Sequence, residues 1–359
     1  MLARKALLNI KPYQPGKPID EVKRELGLKD VIKLASNENP LGPSPKAIAA
    51  IKKHLKDVNR YPESGCFYLR QALSKRLRVR PEQLIFGNGS DELIILAIRT
   101  FVDQDDEVVV AAPTFLIYEL AAKIQGAKIK SVPTRYFKYD LKGMKEAITK
   151  DTKLVFIANP DNPNGTYVTR YELEEFLKGL PENLIVFIDE AYFDYVQEKD
   201  YPNAMDYISR NNIIVTRSFS KSYGLAGLRI GYGVSSPEII KYLESVREPF
   251  NVNLLAQAAA LAALKDKKFL AKVKKVTRDG KRFLYAELGK LGLRYIPSVT
   301  NFVLFEAGKE ADRISKRLMK QGVIVRDMKA WGLDDFIRVT VGTEKENKKF
   351  VKELKKIVT

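Results

Sequence analysis

Cysteine and histidine are almost absent from this chain of 359 residues, which contains only Cys66 and His54. One cysteine excludes an intrachain disulfide and a thiolate metal cluster within the chain. The single histidine lies in an amphipathic pattern, AIAAIKKHLKDV, that predicts a surface position and argues against Ser-His-Asp triads and HExxH zinc sites. We therefore expect no bound metal, and acid–base chemistry from Lys, Tyr, Asp or Glu.

Long apolar runs are also missing. The richest stretch, 254–264, falls well short of the ~18 apolar residues of a membrane span. The N-terminal sequence MLARKALLNIKPYQPG has neither the sustained apolar core nor the small-residue cleavage site of a secretory signal. These absences predict a cytoplasmic protein without a membrane partner.

Acidic residues are outnumbered, 44 against 62 Lys and Arg, which gives a formal charge of +18. Clustered Lys and Arg would indicate a nucleic-acid partner. Here the lysines are scattered along predicted helix faces among Glu and Asp, as in KVKKVTRDGKR and ENKKFVKELKKI. This pattern favours a solvated basic surface, or an anionic small substrate, over nucleic-acid binding.

Strand and helix patterns alternate after an irregular segment of about 35 residues, in which Pro12, Pro15 and Pro18 are expected to break any helix. The strands are continuous apolar runs, which indicates burial on both faces. They cover 84–89, 107–113, 154–160, 184–191, 213–219 and 228–234. The sequence therefore predicts an α/β fold with a mostly parallel sheet.

Beyond a helical region at about 252–290, short strands around one helix are typical of a small α+β domain. We expect a large domain at 36–250, a connecting helix with the small domain at 251–359, and an N-terminal arm at 1–35 that joins the small domain. Ligands bind open parallel sheets at the carboxyl ends of the strands, and unusual polar residues follow those ends in four loops.

Two of these loops are ambiguous by themselves. In GNGSDE, Gly89, Ser90 and Asp91 open a helix whose backbone amides suit a phosphate, but Ser and Asp are equally good helix caps. In NPDNPNG, two prolines and a glycine predict a rigid turn that projects Asn162, although the motif alone indicates only a turn.

The third loop, IDEAYFDY, begins with Asp189 at the end of an apolar strand. A carboxylate there is costly unless it meets a cation, such as a protonated pyridine nitrogen; a capping role is the alternative. Tyr192, three residues later, has a hydroxyl suited to donate to a phenolate oxygen.

The fourth loop, TRSFSKSYGLAGLRIGY, places Lys221 after a buried strand between Ser218, Ser220 and other hydroxyl groups. Burial and neighbouring positive charge lower the pKa of such a lysine, which makes its amine able to form a Schiff base. Arg229, eight residues later, is suited to bind a phosphate. Together the four loops supply the lysine, acid, amide, phenol and phosphate contacts that pyridoxal 5′-phosphate (PLP) requires.

At these residues the sequence resembles the fold-type-I PLP-dependent aminotransferases over essentially the whole chain. Within that family it is similar to the histidinol-phosphate aminotransferases in SNENPLGPSP, NRYPESG, NPDNPNG, IDEAYFDY, VIVRDM and FIRVTVGT. The resemblance implies a mostly parallel seven-stranded sheet flanked by helices, plus a smaller α+β domain. It also implies transamination of L-histidinol phosphate with 2-oxoglutarate, which yields imidazole-acetol phosphate and glutamate.

The resemblance further implies roles for individual residues. Lys221 would hold PLP and move a proton, Asp189 would pair with the pyridinium, and Asn162 and Tyr192 would bond the O3′ oxygen. Phe115 would stack on the ring, where the family commonly has Tyr. The implied phosphate contacts are Gly89, Ser90, Asp91, Ser218, Ser220 and Arg229.

Tyr61 resembles a tyrosine that reaches the PLP phosphate of the neighbouring subunit, which implies a homodimer. The implied substrate contacts are Tyr13, Asn37, Arg326 and Arg338, with the two arginines as a phosphate clamp.

Three alternatives stay open at this stage. An aromatic amino-acid aminotransferase would bind a carboxylate at Arg338, and a threonine-phosphate decarboxylase would break a different bond at the α-carbon. A nucleic-acid-binding regulator of the same fold is the third, but no helix-turn-helix segment is left over for it.

Overall fold

The computed structural model describes residues 2–8, 10, 12, 16–209 and 212–359. Within these ranges the helices are α1 (Ile19–Leu26), α2 (Pro45–His54), α3 (Phe67–Leu77), α4 (Ser90–Phe101), α5 (Leu116–Gln125), α6 (Leu141–Glu146), α7 (Arg170–Leu177), α8 (Pro237–Val246), α9 (Leu254–Leu264), α10 (Lys267–Lys290), α11 (Ala311–Lys320) and α12 (Glu344–Val358). The strands are β1 (Ile32–Lys33), β2 (Leu84–Gly87), β3 (Glu107–Ala112), β4 (Lys128–Pro133), β5 (Thr152–Ala158), β6 (Ile185–Asp189), β7 (Ile213–Ser218), β8 (Gly231–Val234), β9 (Tyr295–Ile296), β10 (Phe302–Glu306), β11 (Val323–Ile324), β12 (Arg326–Asp327) and β13 (Phe336–Thr340). None of the described helices is both long and apolar enough to cross a bilayer.

Seven strands form the central sheet, in the order β2-β8-β7-β6-β5-β3-β4. Only β8 runs antiparallel to its neighbours, so the predicted α/β fold with a mostly parallel seven-stranded sheet is confirmed. Every residue of β6 is buried, as expected for a continuous apolar run that is covered on both faces. The parallel order brings the carboxyl ends of β5, β6 and β7 to one edge of the sheet.

The edge strand β4 was not among the predicted strands. Its sequence, KIKSVP, alternates lysines with apolar residues, and only one of its sides is paired, with β3. Lysines on an edge strand discourage pairing with another chain. They also interrupt the continuous apolar run from which the other strands were predicted.

The N-terminal segment is less irregular than predicted, because α1 forms within it. The expectation that Pro18 breaks any helix was wrong, since Pro18 occupies the N-cap of α1, where no backbone donor is needed. Gly27 ends the helix with a positive φ of 65°. The apolar side of α1 is buried at Val22 against the segment around Ile324.

A second, antiparallel sheet has the order β12-β13-β10-β9, and β1 pairs in parallel with β11. The VIVRDM segment therefore forms two short strands, β11 and β12, which lie in two different sheets. In the pairing of β1 with β11, Ile32 and Lys33 stand opposite Val323 and Ile324, and the assignment of the arm at 1–35 to the small domain stays a prediction. The boundaries at 36–250 and 251–359 remain predictions.

Candidate active site

A cavity of about 380 Å³ lies at the carboxyl ends of β2, β5, β6 and β7, and this volume is in the range of small-molecule sites. Of the residues predicted to contact the cofactor, those that line it are Ser90, Asp91, Phe115, Asn162, Asp189, Tyr192, Ser218, Ser220, Lys221 and Arg229. The topology thus brings together residues that are up to 139 positions apart in the sequence (229 − 90).

One end of the cavity is suited to an anion. Gly89 has φ +84° and precedes the first turn of α4, whose backbone N–H groups begin at Ser90. A Cβ on Gly89 would lie 2.5 Å from Nη2 of Arg229, so only glycine lets the guanidinium approach this turn. Arg229 pairs with Asp91 at 3.1 Å. Amide donors and a guanidinium therefore meet at this end, as a phosphate group requires.

At another wall, the carboxylate of Asp189 is buried, with 6% of the residue exposed. It accepts hydrogen bonds from the Tyr118 hydroxyl at 2.8 Å and from the Ala191 N–H at 3.0 Å. Burial raises the pKa of Asp189 to about 6 despite these two donors. A cationic group in the cavity would favour the ionised carboxylate, which is the environment that a pyridinium nitrogen provides.

The amine of Lys221 faces the same cavity. Its Nζ donates to the Ser36 carbonyl at 3.2 Å and lies 5.8 Å from the centre of the Tyr192 ring. Burial, followed by the positive charge of Arg338, lowers the pKa of Lys221 to about 8. A substantial fraction of this amine is therefore neutral near pH 8 and available as a nucleophile or base.

The turn after β5 carries Asn162 and is fixed by Asp161. The buried carboxylate of Asp161 accepts from the Tyr139 hydroxyl at 3.0 Å, the Thr114 hydroxyl at 3.1 Å and the Asn164 N–H at 3.2 Å. Burial raises the pKa of Asp161 to about 7. Because Thr114 precedes Phe115, these bonds tie the Asn162 turn to the loop that supplies an aromatic wall.

A smaller chamber of about 100 Å³ adjoins the cavity and shares with it Ser36, Phe115, Asn162, Tyr192 and Lys221. The chamber is otherwise lined by Gly16, Ala35, Asn37, Arg326, Trp331 and Arg338, none of which lines the larger cavity.

The two arginines of the chamber are neighbours, because Arg326 and Arg338 stand opposite each other in the β12–β13 pair. The Trp331 ring lies 5.1 Å from Cζ of Arg326 and 5.7 Å from Cζ of Arg338. Arg338 also donates to the Ala35 carbonyl at 3.0 Å and to the side-chain oxygen of Asn162. Two guanidinium groups are thus held side by side next to Lys221.

Comparison with known proteins identifies the family. The sequence profile described as Aminotransferase class I and II matches residues 29–354. The chain belongs to this aminotransferase family. A histidinol-phosphate aminotransferase from Moorella thermoacetica is 50% identical over 357 residues, which are 99% of this chain and 92% of that protein. One from Brevibacillus brevis is 46% identical and covers 100% of this chain and 99% of its own length.

Two solved structures, of an aminotransferase and of a decarboxylase, agree with the fold. Histidinol-phosphate aminotransferase from Sinorhizobium meliloti, solved with pyridoxal-5′-phosphate, has a TM-score of 0.92 at 28% identity, over 99% of this chain and 97% of that chain. L-threonine-O-3-phosphate decarboxylase from Porphyromonas gingivalis has a TM-score of 0.81 at 25% identity, over 91% of this chain and 99% of that chain. The fold therefore accommodates more than one reaction, and the site must distinguish them.

One predicted site residue of this aminotransferase, Tyr61, lies away from the cavity of its own chain, and another belongs to the residues that the structure does not describe. Tyr13 falls outside the described residues. Tyr61 is 82% exposed and stacks on Phe250 with ring centroids 4.8 Å apart, but it does not line the cavity of its own chain. The prediction for Tyr61 concerns a neighbouring subunit, so its role stays a prediction.

Sequence reasoning missed three residues of the site: Tyr118, Asp161 and Trp331. Tyr118 had a usable signal, because it follows Phe115 by three residues and so lies on the same side of the first turn of α5. Asp161 stands inside the quoted NPDNPNG motif, but its contacts come from Thr114 and Tyr139. Trp331 had no local signal beyond being the only tryptophan.

Proposed function

We propose that this aminotransferase transfers the amino group of L-histidinol phosphate to 2-oxoglutarate with PLP as cofactor, a step of histidine biosynthesis. The observation that carries the proposal is the pair Arg326 and Arg338 in a chamber that opens onto Lys221. The 50% and 46% identity to histidinol-phosphate aminotransferases supports the same substrate.

The cavity fits PLP in each of its parts. A buried carboxylate, Asp189, is available for the ring nitrogen, and the Gly89 turn with Arg229 is available for the phosphate. Asn162 and Tyr192 supply an amide and a phenol for the O3′ oxygen. When bound, PLP serves as an electron sink that stabilises negative charge on the substrate carbon.

Lys221 moves the proton in the reaction. With its pKa lowered to about 8, the neutral Nζ of Lys221 would accept a proton from the substrate carbon as a general base, and the protonated amine would later donate it as a general acid. The carboxylate of Asp189 would balance a positive charge on the ring nitrogen, and Tyr118 holds that carboxylate in place through its 2.8 Å hydrogen bond. Asp161 has a supporting role, because it fixes the turn from which Asn162 reaches the ring.

The phosphate of the substrate lies between Arg326 and Arg338. A phosphate dianion matches two guanidinium groups, whereas the carboxylate of an aromatic amino acid would match one, and this charge balance favours histidinol phosphate. The Trp331 ring orients both cations while leaving them their positive charge. Asn37, which donates to the Tyr192 hydroxyl at 2.8 Å, and Tyr13 complete the substrate side.

The active form is a cytoplasmic homodimer in which Tyr61 of one subunit contacts the PLP phosphate of the other. Support comes from an exposed apolar patch in which Tyr61 and Phe250 stack beside Val58 and Leu255, since such patches mark protein interfaces. Sedimentation equilibrium should give twice the chain mass, and Tyr61→Ala should release PLP more readily than the wild type. A monomer that retains full activity would contradict the dimer.

The function is tested with purified, PLP-saturated enzyme. Histidinol phosphate and 2-oxoglutarate should produce glutamate, and each half-reaction should proceed alone, as ping-pong kinetics require. Absence of both turnover and a visible PLP absorbance band would overturn the proposal.

A further inference from the structure

A separate cavity of about 190 Å³ lies between α10 and the segment after β6. Its α10 wall carries four basic residues, at positions that share one helix face: Lys274, Arg278, Lys281 and Arg282. The opposite wall contains Tyr195, Gln197 and Glu198, so one acidic side chain faces four cations. None of these residues lines the 380 Å³ cavity proposed for PLP, here called the cofactor cavity. None lines the smaller chamber that contains Arg326 and Arg338, here called the arginine chamber.

Lys281 is the most deeply placed of these cations. Its Nζ donates to the Ser298 carbonyl at 2.7 Å, and burial lowers its pKa to about 8. Among the described residues, no carboxylate oxygen lies within 4.0 Å of this ammonium, and Glu198 acts on it only from a greater distance. A partly buried ammonium without a close counterion is destabilising, so an anion bound beside it would stabilise the fold.

The other cations leave the cavity strongly positive. Arg278 pairs with Asp279 at 3.2 Å, but in the part of the chain that the structure describes Lys274 and Arg282 have no carboxylate oxygen within 4.0 Å. We propose that this cavity is a binding site for a small phosphate-type dianion. Four cations line the cavity with one acidic residue opposite, and this excess of positive charge favours a multiply charged ligand over a monoanion.

The site is linked to the active centre through Ser298. A Cβ on Gly165 would lie 2.5 Å from Oγ of Ser298, and Val299 donates to the Gly165 carbonyl at 2.8 Å. Gly165 in turn donates to the Asp161 carbonyl at 3.0 Å and so closes the turn that carries Asn162. An anion bound to Lys281 therefore stabilises the Ser298 segment against which this turn packs. This anion site would bind its ligand whichever substrate the enzyme uses.

The test is thermal unfolding of the PLP-saturated enzyme, titrated with inorganic phosphate at an ionic strength kept constant with chloride. The wild type should gain about 2 °C or more in Tm. Lys281→Met should have a higher Tm than the wild type without phosphate, because the buried charge is gone, and should lose most of the phosphate-dependent gain. Lys272→Met, which removes an exposed lysine of the same helix outside the cavity, is the matched control and should behave as the wild type.

Phosphate bound at Arg326 and Arg338 would contribute equally to the wild type and to Lys281→Met, so their difference isolates the new site. An equal gain in both proteins would overturn the proposal. If Lys281→Met fails to fold, the double variant Lys274→Gln/Arg282→Gln replaces it and should lose part of the gain; retention of the full gain would again be decisive against the site. A gain with glycerol 3-phosphate as well as inorganic phosphate would identify phosphomonoesters as ligands, whereas a gain with inorganic phosphate alone would identify the free ion.

Discussion

The cofactor cavity and the arginine chamber differ in the parts of the chain that line them and in the sign of their charged groups. The cofactor cavity is lined mainly by residues that follow strands of one sheet. Burial raises the pKa values of two acids there, Asp189 in the cavity wall and Asp161 in the turn that carries Asn162. The chamber joins the N-terminal segment to β13, with Asn37 bonded to Thr340 across 303 positions, and its dominant charges are cationic. In the proposed function, the chemistry therefore takes place at the edge of the central sheet, and the substrate is selected where distant segments of the chain meet.

Removal of Lys221 should have the largest effect. Lys221→Ala should lower kcat by about 10⁴-fold or more, because the group that moves the proton is lost, and it should abolish the visible band of bound PLP. Steady-state kinetics and absorbance spectra measure both. Lys272→Ala, a change at an exposed lysine, is the control and should leave both unchanged.

Asp189→Asn should also damage the cofactor side. The amide cannot balance a positive ring nitrogen, so kcat should fall on the order of 10²–10³-fold, with PLP bound more weakly. The KM for histidinol phosphate should change little. A raised KM with a normal kcat in Asp189→Asn would indicate that Asp189 contacts the substrate and not the cofactor.

Arg338→Met should do the reverse and act mainly on substrate binding. Loss of a charge-assisted contact to phosphate should raise the KM for histidinol phosphate roughly 10–100-fold. Arg338→Lys keeps the charge without the bidentate geometry and should give an intermediate KM. Equal KM values for the wild type and Arg338→Met would contradict the proposal that Arg338 binds the substrate phosphate.

Trp331→Leu should weaken the clamp without removing a charge. The loss of cation–π contact with both arginines should raise KM about 3–10-fold at unchanged kcat, and Trp331→Phe should restore much of the affinity. Circular dichroism separates this effect from unfolding. A fall in kcat alone would show that the indole acts on the chemistry instead.

The pH dependence of PLP uptake tests the electrostatic link between Arg338 in the arginine chamber and Lys221. The expected change in rate is the smallest of those predicted. Because the charge of Arg338 helps to lower the pKa of Lys221 to about 8, Arg338→Met should raise that pKa. Less of the amine is then neutral at pH 7, so PLP uptake by the apoenzyme should slow a few-fold at pH 7 and its profile should shift to higher pH. Arg99→Met, at an exposed site, should not shift the profile.

The sequence predicted the cofactor side more fully than the substrate side. Asp189, Asn162 and Lys221 each follow an apolar strand, and parallel strands bring such positions together, so their proximity follows from pattern alone. By contrast, β4 and α1 were missed, because edge lysines and a proline at an N-cap hide the usual signals.

Contacts between distant segments have no local signature. The donation of Tyr118 to Asp189 and the position of Trp331 beside two arginines depend on how α5 and the β12–β13 pair are placed. The motif resemblance supplied Arg326 and Arg338 as a pair, and the strand register adds that they stand directly opposite each other in β12 and β13.

Substrate selectivity tests the central proposal most directly. We expect kcat/KM for histidinol phosphate, with 2-oxoglutarate as acceptor, to exceed that for phenylalanine by on the order of 100-fold or more, since phenylalanine lacks the dianion that two guanidinium groups bind. The difference should shrink in Arg338→Met. A higher kcat/KM for phenylalanine would contradict the phosphate clamp and assign the enzyme to aromatic amino acids.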